Sequence, residues 1–397
     1  MRTGAIIHLN RFKENIDTVK TRVGKDIRIC VPVKADAYGH GALQISKAAI
    51  EAGAYCLGVA DVMEGIELRK GGIQSPILLF SQAHPSEIPL IVKAKIIPFI
   101  SDEEFAAALN KQAALEKINL PVHIKIDTGM NRMGCPLNGV LSLAEMIKKC
   151  PSLILEGIAT HLAVSDSAEK SDIDFTNIQL ARFKKAVNAI KNAGINPGIV
   201  HAANSGAVIL HPNAWLDMVR PGILLYGFKT VQEYEAPVEH LKKISKLSSI
   251  IVKPVMELKS SVSLIKKIKK GDSVSYGRTW TAKEDTAIGI LSIGYADGLP
   301  RLASNRWQAV INGETFPLVG RITMDQCCVD LGTNHNIRRW DEAVIFGDDI
   351  YPEQASTAHE HAIVKRQNAA ELASIVRSIP YEITCNISKR VPRVFKK

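Results

Sequence analysis

The stretch Ile27-Arg28-Ile29-Cys30-Val31-Pro32-Val33, which is followed by Lys34, shows the pattern that decides the fold. It is a short, largely apolar run that ends at a charged residue, and such a run is typical of a buried strand in a parallel sheet. Seven similar runs follow within the first 230 residues, at 55–59, 77–80, 97–100, 122–126, 153–159, 199–201 and 218–219. The sequence therefore predicts eight buried strands in this part of the chain.

Helical patterns lie between these runs. Phe12, Ile16, Val19 and Val23 recur at the spacing of one helix face. Strand and helix thus alternate, and eight such units in about 230 residues match a closed parallel barrel better than an open doubly wound sheet. We predict an α/β fold with a (β/α)8 barrel of the TIM type over residues 1–240.

The pattern changes after about residue 240, where strands alternate with turns. The runs 288–293, 309–311 and 316–319 are apolar, and the pair Asn312-Gly313 between the last two favours a two-residue type I′ hairpin turn. A helix is expected at 368–377, where apolar residues share one side. We predict a second, mainly β domain over residues 241–397.

The composition is that of a folded protein. Of the 397 residues, 46% are hydrophobic and 23% are charged, which argues against a disordered or membrane protein. No stretch approaches the roughly 18 apolar residues of a membrane-spanning helix, and the first residues carry no apolar signal segment. The formal net charge of +10 is a mild surplus for this length, so neither nucleic acid nor a membrane is expected as a partner.

The seven cysteines are scattered and form no C-x-x-C motif. This usage favours a reducing compartment, and we expect a cytoplasmic protein without disulfides or a zinc site. The triplet His359-Glu360-His361 lacks a third ligand at helical spacing and is interpreted as an exposed loop. No metal is predicted.

Polar residues follow the ends of several predicted strands. In a parallel barrel these ends share the face at which barrel enzymes carry their chemistry, so we expect the polar residues to converge there. They are Lys34, Ser81, Asp127, His161, Asn204 and Arg220. For any one of them, a strand end that turns polar on reaching solvent is an equally good explanation.

Of these residues, Lys34 has the side chain that points most clearly to a chemical function. At the end of a buried strand, the low dielectric would lower the pKa of its ammonium group and leave an amine that can form an imine with a carbonyl compound. The residue pattern alone leaves a solvated structural lysine as the alternative.

The segment VPVKADAYGHG, from Val31 to Gly41, resembles the signature of the alanine racemases, which are pyridoxal-phosphate enzymes with a barrel and a β domain. Further segments in the family's order extend the resemblance over nearly the whole chain. They are IKIDTGMNRMG (124–134), TH (160–161), HAANS (201–205), RPGI (220–223), VSYGRT (274–279), IGYADG (293–298), GRITMDQ (320–326), YE (381–382) and RVPR (390–393).

The resemblance implies an isomerase that interconverts L-alanine and D-alanine with pyridoxal 5′-phosphate as its cofactor. Lys34 would carry the cofactor as an aldimine and then serve as one base, and Tyr276 would serve as the second base on the opposite face of the substrate. A tyrosine is a poor base at neutral pH unless a positive neighbour stabilises its phenolate. The resemblance implies that His161 would hydrogen-bond to Tyr276, and that Arg220 would lie behind His161 and face the pyridine nitrogen.

The resemblance also implies the binding residues. The phosphate ligands would be Tyr38, Ser205, Gly222, Ile223 and Tyr381. The substrate carboxylate would bind the guanidinium of Arg132 and the backbone amide of Met324. Tyr295 would line the entrance, and Lys125 matches a position that is carbamylated in some members and orients the arginine.

The resemblance further implies that the chain forms a homodimer with shared active sites. In this family the second domain reaches the barrel of the neighbouring subunit, and here that domain would bring Tyr276. The D-alanine product would supply peptidoglycan. Open alternatives are a racemase of serine, lysine or broad specificity, and a basic amino-acid decarboxylase of the same fold, which would share Lys34 but not the other motifs. A non-catalytic pyridoxal-phosphate carrier would lack the second domain and Tyr276.

Overall fold

The structure is a computed structural model that describes residues 2–229, 250–347 and 367–397. The chain divides into two compact units. The first comprises Phe12–Ala37 and Ala42–Val252, and the second comprises Met1–Arg11, Tyr38–Gly41 and Lys253–Lys397. The predicted domain boundary at residue 240 and the triplet His359-Glu360-His361 lie outside the described residues.

The first unit is a closed barrel of eight parallel strands. After the N-terminal strand β1 (Thr3–His8), which belongs to the second unit, the barrel strands are β2 (Arg28–Pro32), β3 (Cys56–Val59), β4 (Ile77–Leu79), β5 (Ile97–Ile100), β6 (Leu120–Lys125), β7 (Leu153–Ala159), β8 (Ile199–His201) and β9 (Met218–Val219). The barrel closes where β2 pairs with β9, with Ile29 opposite Val219. All eight predicted runs form strands, so the predicted (β/α)8 barrel is confirmed.

Helices alternate with these strands. They are α1 (Leu9–Val23), α2 (Lys34–Gly39), α3 (Ala42–Glu51), α4 (Val62–Lys70), α5 (Ile88–Lys93), α6 (Glu103–Leu115), α7 (Val140–Lys149), α8 (Lys170–Asn192) and α9 (Ser205–Leu210). The predicted face of α1 is the buried one, with Phe12, Ile16, Val19 and Val23 all against the core. Burial of this stripe stabilises the helix more than its intrinsic propensity does.

The barrel interior contains a packed apolar layer. Strands β2, β3, β4, β5, β7 and β9 contribute to one buried cluster, which consists of Cys30, Cys56, Leu78, Ile97, Phe99, Ala159 and Met218. Side chains that fill a barrel in this way make it a core rather than a channel. All seven cysteines are free thiols.

The second unit is built on an eight-stranded sheet in the order β11-β14-β13-β12-β15-β10-β1-β16. Its further strands are β10 (Met256–Ile268), β11 (Thr286–Leu291), β12 (Gln308–Ile311), β13 (Glu314–Val319), β14 (Cys327–Gly332), β15 (Glu342–Phe346) and β16 (Arg393–Lys396), and its helices are α10 (Ala369–Val376) and α11 (Pro380–Cys385). Strand β1 pairs antiparallel with β10 and parallel with β16. The predicted mainly β domain is confirmed.

The hairpin between β12 and β13 turns at Asn312 and Gly313, whose φ angles are 52° and 80°. Two successive positive φ angles characterise the type I′ turn, which asparagine and glycine tolerate best. The predicted turn is therefore confirmed.

Two further features concern the described residues as a whole. None of their helices combines the length and the apolar character that crossing a bilayer demands. In the same residues, no group of three or more His, Cys, Asp or Glu side chains is arranged to bind a metal ion.

Candidate active site

Lys34 begins an unusual turn directly after β2. The four residues from Ala35 to Tyr38 all have φ angles of 52° or 53°, so α2 is a left-handed helical turn that contains no glycine before Gly39. Such a conformation costs L-residues roughly 1–2 kcal/mol each. Backbone strain of this size persists only where the surroundings enforce it, and it is concentrated at functional sites.

Two carboxylates enforce this turn. Glu64 Oε1 accepts a hydrogen bond of 2.6 Å from the Ala35 N–H, while its Oε2 accepts one of 2.9 Å from the Ala60 N–H at the end of β3. Asp36 Oδ1 accepts a hydrogen bond of 2.7 Å from the Ala42 N–H. The main chain next to Lys34 is thereby tied to the neighbouring strand and to α3.

Cationic side chains cluster at the carboxyl ends of the barrel strands. Lys125, the last residue of β6, is 6% exposed, and Arg220, which follows β9, is 5% exposed. Burial lowers the pKa of Lys125 well below its ordinary value, the charges of Arg220 and Arg132 lower it further, and Asp127 acts in the opposite direction. Burial also lowers the pKa of Arg220 to about 10. The loss of hydration thus favours the neutral amine of Lys125.

His161 lies against Arg220. The Nδ1 atom of His161 is 3.4 Å from Nη2 of Arg220, which also donates a hydrogen bond of 2.8 Å to the carbonyl of Thr160. Burial lowers the pKa of His161 well below its ordinary value, and four positive neighbours lower it further, Lys125 first and Lys34 among them. A neutral imidazole whose Nδ1 faces an obligate donor carries its proton on Nε2.

Arg220 also begins a chain of buried hydrogen bonds that sequence reasoning missed. Its Nη1 lies 2.8 Å from Nδ1 of His201, whose Nε2 lies 2.9 Å from Nδ1 of His123. The Nε2 of His123 lies 3.4 Å from Oε2 of Glu156. Burial is the largest cause that lowers the pKa of both histidines. The sequence contained one sign of this hydrogen-bond chain, namely a histidine such as His123 within an otherwise apolar strand.

Ser205, Gly222 and Ile223 lie together and are buried. The Oγ of Ser205 accepts hydrogen bonds from the N–H groups of Gly222 at 2.8 Å and of Leu224 at 3.3 Å, so its own proton points elsewhere. Ile223 is the first residue of a 3₁₀ turn, Ile223–Tyr226, and its N–H has no acceptor within that turn. A hydroxyl and backbone N–H groups are the neutral donors that bind phosphate at barrel ends.

These donors fit pyridoxal phosphate. A buried cation is costly unless an acceptor or an anion compensates it, and the guanidinium of Arg220 is almost fully buried. Pyridoxal phosphate would bring a ring nitrogen that can accept a hydrogen bond from Arg220, a phosphate that can accept from the neutral donors, and a carbonyl group that can react with Lys34. The chemistry of the side chains therefore agrees with the predicted cofactor.

Arg132 is presented by a tight loop between β6 and α7. The Oδ1 of Asp127 accepts hydrogen bonds from the N–H groups of Gly129 at 2.8 Å and Asn131 at 3.1 Å. At Gly134, whose φ is 140°, a Cβ atom would lie 2.5 Å from the backbone nitrogen of Asp127, so the loop requires glycine there. The exposed side chain of Arg132 projects from this fixed loop.

Three predicted site residues of the second unit are exposed in the single chain. Tyr276 is 73% exposed, Met324 is 52% exposed and Tyr295 is 43% exposed. The residue before Tyr276, Ser275, has a φ of 65°, which marks a sharp turn. The N–H of Met324 makes no hydrogen bond within the part of the chain that the structure describes. These groups are available to a ligand or to a second chain.

The structure brings the predicted residues together in several groups. In the barrel, Lys34, Lys125, Arg132 and Arg220 all act electrostatically on His161. In the second unit, the rings of Tyr38 and Tyr381 have centroids 5.7 Å apart.

Asn204 has a structural role instead, because its side chain caps α9 by accepting a hydrogen bond from the Ala207 N–H at 3.1 Å. Asp127 likewise supports a loop. For these two residues the structural explanation of a polar strand end is sufficient. Ser81, which follows β4, is half-buried and forms no hydrogen bond with Lys125, His161 or Arg220 within the described residues.

Two models of protein domains match this chain. The sequence model described as "Alanine racemase, N-terminal domain" matches residues 7–230, and the one described as "Alanine racemase, C-terminal domain" matches residues 255–395. The chain belongs to the alanine racemase family. The predicted family and the predicted isomerase are therefore confirmed.

Relatives in this family match the chain from end to end. An alanine racemase of Treponema denticola is 47% identical over 393 residues, which is 99% of this chain and 98% of the relative. That of Treponema pallidum is 40% identical and covers 98% of both chains. Among solved alanine racemases, that of Clostridium difficile 630 has a TM-score of 0.86 at 34% identity and covers 100% of this chain and 96% of its own. The Bacillus anthracis structure, whose title names bound L-Ala-P, has a TM-score of 0.85 at 30% identity and covers 100% and 95%.

Proposed function

We propose that this chain racemises alanine and that it uses pyridoxal 5′-phosphate bound covalently to Lys34. The observation that carries the proposal is the position of Lys34 at the strained turn after β2, where its charge acts on His161 beside Arg220. An amine, a neutral imidazole and a guanidinium held at one end of a barrel suit a phosphate-bearing aldehyde and an amino-acid carboxylate. The curated names of the relatives support alanine as the substrate.

The cofactor would be bound at both of its ends. Its phosphate would accept hydrogen bonds from the Ser205 hydroxyl, from the N–H groups of Gly222 and Ile223, and from the phenols of Tyr38 and Tyr381. Arg220 would donate to the pyridine nitrogen. Because a guanidinium does not readily release a proton, Arg220 would leave that nitrogen unprotonated.

When bound, the cofactor draws electrons away from the α-carbon of the substrate and so makes its proton removable. Lys34 would remove or return this proton on one face and Tyr276 on the other, which yields inversion. His161, held neutral with its proton on Nε2, would donate that proton in a hydrogen bond to the Tyr276 oxygen. This bond, with the charge of Arg220 behind it, would stabilise the phenolate that serves as the base.

The carboxylate of the substrate would bind Arg132 and Met324. The guanidinium of Arg132 offers paired donors, and the N–H of Met324, which has no acceptor among the described residues, offers a third. Tyr295 would line the entrance. A Lys125 that is neutral or carbamylated would not add a further positive charge beside Arg132.

We further propose that the enzyme is a homodimer with shared sites and that it provides D-alanine for peptidoglycan in the cytoplasm. The high exposure of Tyr276, Tyr295 and Met324 in the single chain supports a dimer, since these residues would complete the partner's site. Seven free thiols agree with a reducing compartment.

The activity is tested by incubating the cofactor-loaded protein with single enantiomers of alanine, serine, lysine and arginine. We expect racemisation of alanine to be the fastest reaction. Faster racemisation of serine or lysine would reassign the substrate, and release of CO₂ from lysine or arginine would identify a decarboxylase instead.

The covalent link is tested by borohydride reduction and peptide mapping. Reduction should fix the cofactor on Lys34, and Lys34→Ala should abolish both this label and racemisation. Lys93→Ala, at the exposed end of α5, is the matched control and should retain both. A reducible link to another lysine in the Lys34→Ala protein would refute the assignment.

A further inference from the structure

Asp297 and Arg390 form an ion pair in the second unit that the proposed chemistry does not use. Asp297 is only 1% exposed, and both of its carboxylate oxygens bind Arg390, Oδ1 to Nε at 2.7 Å and Oδ2 to Nη2 at 2.9 Å. Arg2 adds a more distant contact of 3.7 Å to Oδ2. A buried carboxylate requires such a partner, and the paired geometry fixes the orientation of both groups.

The same guanidinium also binds the neighbouring loop. Nη1 of Arg390 lies 2.9 Å from Oδ1 of Asp325, and its Nη2 lies 3.4 Å from the carbonyl oxygen of Met324. Arg390 therefore connects two loops, one through Asp297 and the other through Asp325 and Met324. We call these two segments the Tyr295 loop (293–298) and the Met324 loop (322–326).

The two loops are also in direct backbone contact. The N–H groups of Tyr295 and Ala296 donate hydrogen bonds of 3.0 Å to the carbonyls of Thr323 and Met324. At Gly294 a Cβ atom would lie 2.3 Å from the Thr323 oxygen and 2.4 Å from the Met324 carbonyl, so no larger residue fits there. The N–H of Gly294 in turn donates to Oδ2 of Asp297 at 2.9 Å. The ion pair and the loop contact are thus parts of one arrangement.

This arrangement sets the direction of the Met324 amide. The Met324 N–H shares a peptide group with the Thr323 carbonyl, which accepts a hydrogen bond from the Tyr295 N–H, so the trans geometry points the Met324 N–H in the direction opposite to that bond. The carbonyl of Met324 itself accepts hydrogen bonds from Ala296 and Arg390, which hold the other side of the same residue. We propose that Arg390 is a positioning residue, which acts through Asp297 and Asp325 to hold the Met324 N–H and the Tyr295 ring in place for the substrate carboxylate. The inference rests on the proposed function, because it takes the role of Met324 from it.

Lysine could not replace Arg390 in this role. Four contacts to three acceptor groups on two loops require the planar fork of the guanidinium, whereas an ammonium group offers a single point of charge. Arg390→Lys therefore preserves the positive charge but removes the planar set of donors that makes these contacts. Arg339→Lys is the matched control, because Arg339 lies in the same unit but donates to the Ser263 carbonyl and stacks on Trp340.

The test compares the cofactor-loaded wild type with Arg390→Lys and Arg339→Lys. We expect Arg390→Lys to raise KM about tenfold for both L-alanine and D-alanine, and to weaken inhibition by propionate to a similar extent, while kcat changes about twofold or less. Hydrogen–deuterium exchange should become faster in the Tyr295 and Met324 loops. In Arg339→Lys the kinetic constants and the exchange of these loops should match the wild type.

Two outcomes would overturn the inference. The first is that KM and the rate of hydrogen–deuterium exchange in the two loops are the same in Arg390→Lys as in Arg339→Lys. The second is that Arg390→Lys lowers kcat and leaves KM unchanged. If Arg390→Lys does not fold, Asp325→Asn replaces it, since this variant keeps the Asp297 pair and weakens only the Met324 side. It should raise KM and loop exchange by a smaller factor, and unchanged values would refute the inference. If the wild type does not racemise alanine, the proposed function fails, whereas the exchange rates still decide whether Arg390 holds the loops.

Discussion

The Nε2 atom of His201 lies 2.9 Å from the Nδ1 atom of His123, and this contact fixes the direction of a chain of buried hydrogen bonds. Because Arg220 can only donate to Nδ1 of His201, the proton of His201 must be on Nε2. His123 then accepts at Nδ1 and donates from Nε2 to Glu156. Protonation of either histidine would place two donors against each other, so the chain requires both rings to be neutral.

We expect these neutral histidines to make stability fall in mild acid. The pKa of His201 and of His161 is well below 6.5 in the folded chain, and that of His123 is also lowered, each chiefly by burial. Below pH 6.5 the unfolded chain therefore binds more protons than the folded one, and the free energy of unfolding decreases as the pH falls. Each histidine adds at most about 1.4 kcal/mol per pH unit. Urea unfolding at pH 7.5, 6.5 and 5.5 measures this slope.

Two variants separate the buried histidines from other groups. His201→Gln should reduce the slope by about one proton, whereas His84→Gln, at an exposed histidine, should leave it unchanged. Glu257 does not affect this slope, because the hydrogen bond from His8 lowers the pKa of its carboxyl group to about 2. Its contribution to the free energy of unfolding is lost only as the pH falls from about 4.5 toward 2. An equal slope in the wild type and His201→Gln would contradict the conclusion that His201 is neutral in the folded chain.

The barrel could be predicted because its strands are covered on both sides. A strand in that position reads as a continuous apolar run, and the run 153–159 coincides with β7. The first run, 27–33, extends beyond β2 at both ends, because a pattern of hydrophobicity reports burial and not hydrogen bonding. The buried face of α1 could also be predicted, because its burial leaves a pattern of apolar residues in the sequence.

The contacts of the site could not be predicted in this way. His123 and Glu156 are 33 positions apart, and Asp297 and Arg390 are 93 apart, so no local spacing encodes either pair. The left-handed turn after Lys34 is made of alanine, aspartate and tyrosine, which ordinarily favour right-handed conformations. Its cause is tertiary, in the form of the hydrogen bond from the Ala35 N–H to Glu64.

Replacement of Tyr276 should affect the two enantiomers unequally. We expect Tyr276→Phe to slow removal of the α-proton from L-alanine by about 10²–10⁴, and from D-alanine much less, because Lys34 would serve the latter. Deuterium exchange from solvent into each enantiomer in a single turnover measures the two rates. Tyr55→Phe is a control at a tyrosine that stacks with Arg28, and it should leave both rates unchanged. Equal losses in Tyr276→Phe would refute the scheme with two bases.

Lys125 should react with CO₂. Burial lowers its pKa well below the ordinary value, so its nitrogen can attack the carbon of CO₂, lose a proton and become a carbamate anion beside the charges of Arg132 and Arg220. Carbon-13 NMR of the protein in labelled bicarbonate should show a carbamate signal that Lys125→Ala lacks. Lys149→Ala, at the exposed end of α7, should retain it. Absence of the signal from the wild type would show that the lysine stays unmodified.

A shared active site should allow two inactive variants to restore each other. Lys34 follows a barrel strand, whereas Tyr276 lies in the second unit, and the proposed dimer combines these residues from different chains. In a mixed dimer of Lys34→Ala and Tyr276→Phe, one site carries both substitutions and the other carries neither. We therefore expect activity to return when the two inactive proteins are dissociated, mixed and reassociated.

The amount of activity regained distinguishes the possible arrangements. Random reassociation makes about half of the dimers mixed, and each mixed dimer has one intact site, so activity should recover to about a quarter of the wild-type value per site. If both residues of a site came from one chain, every site would keep one substitution and the mixture would stay inactive. Subunit exchange must be verified independently, for example by mass spectrometry of differently labelled chains. No recovery after complete exchange would refute the shared site, whereas recovery to about a quarter would show that catalysis requires the dimer, because no single chain in the mixture contains both Lys34 and Tyr276.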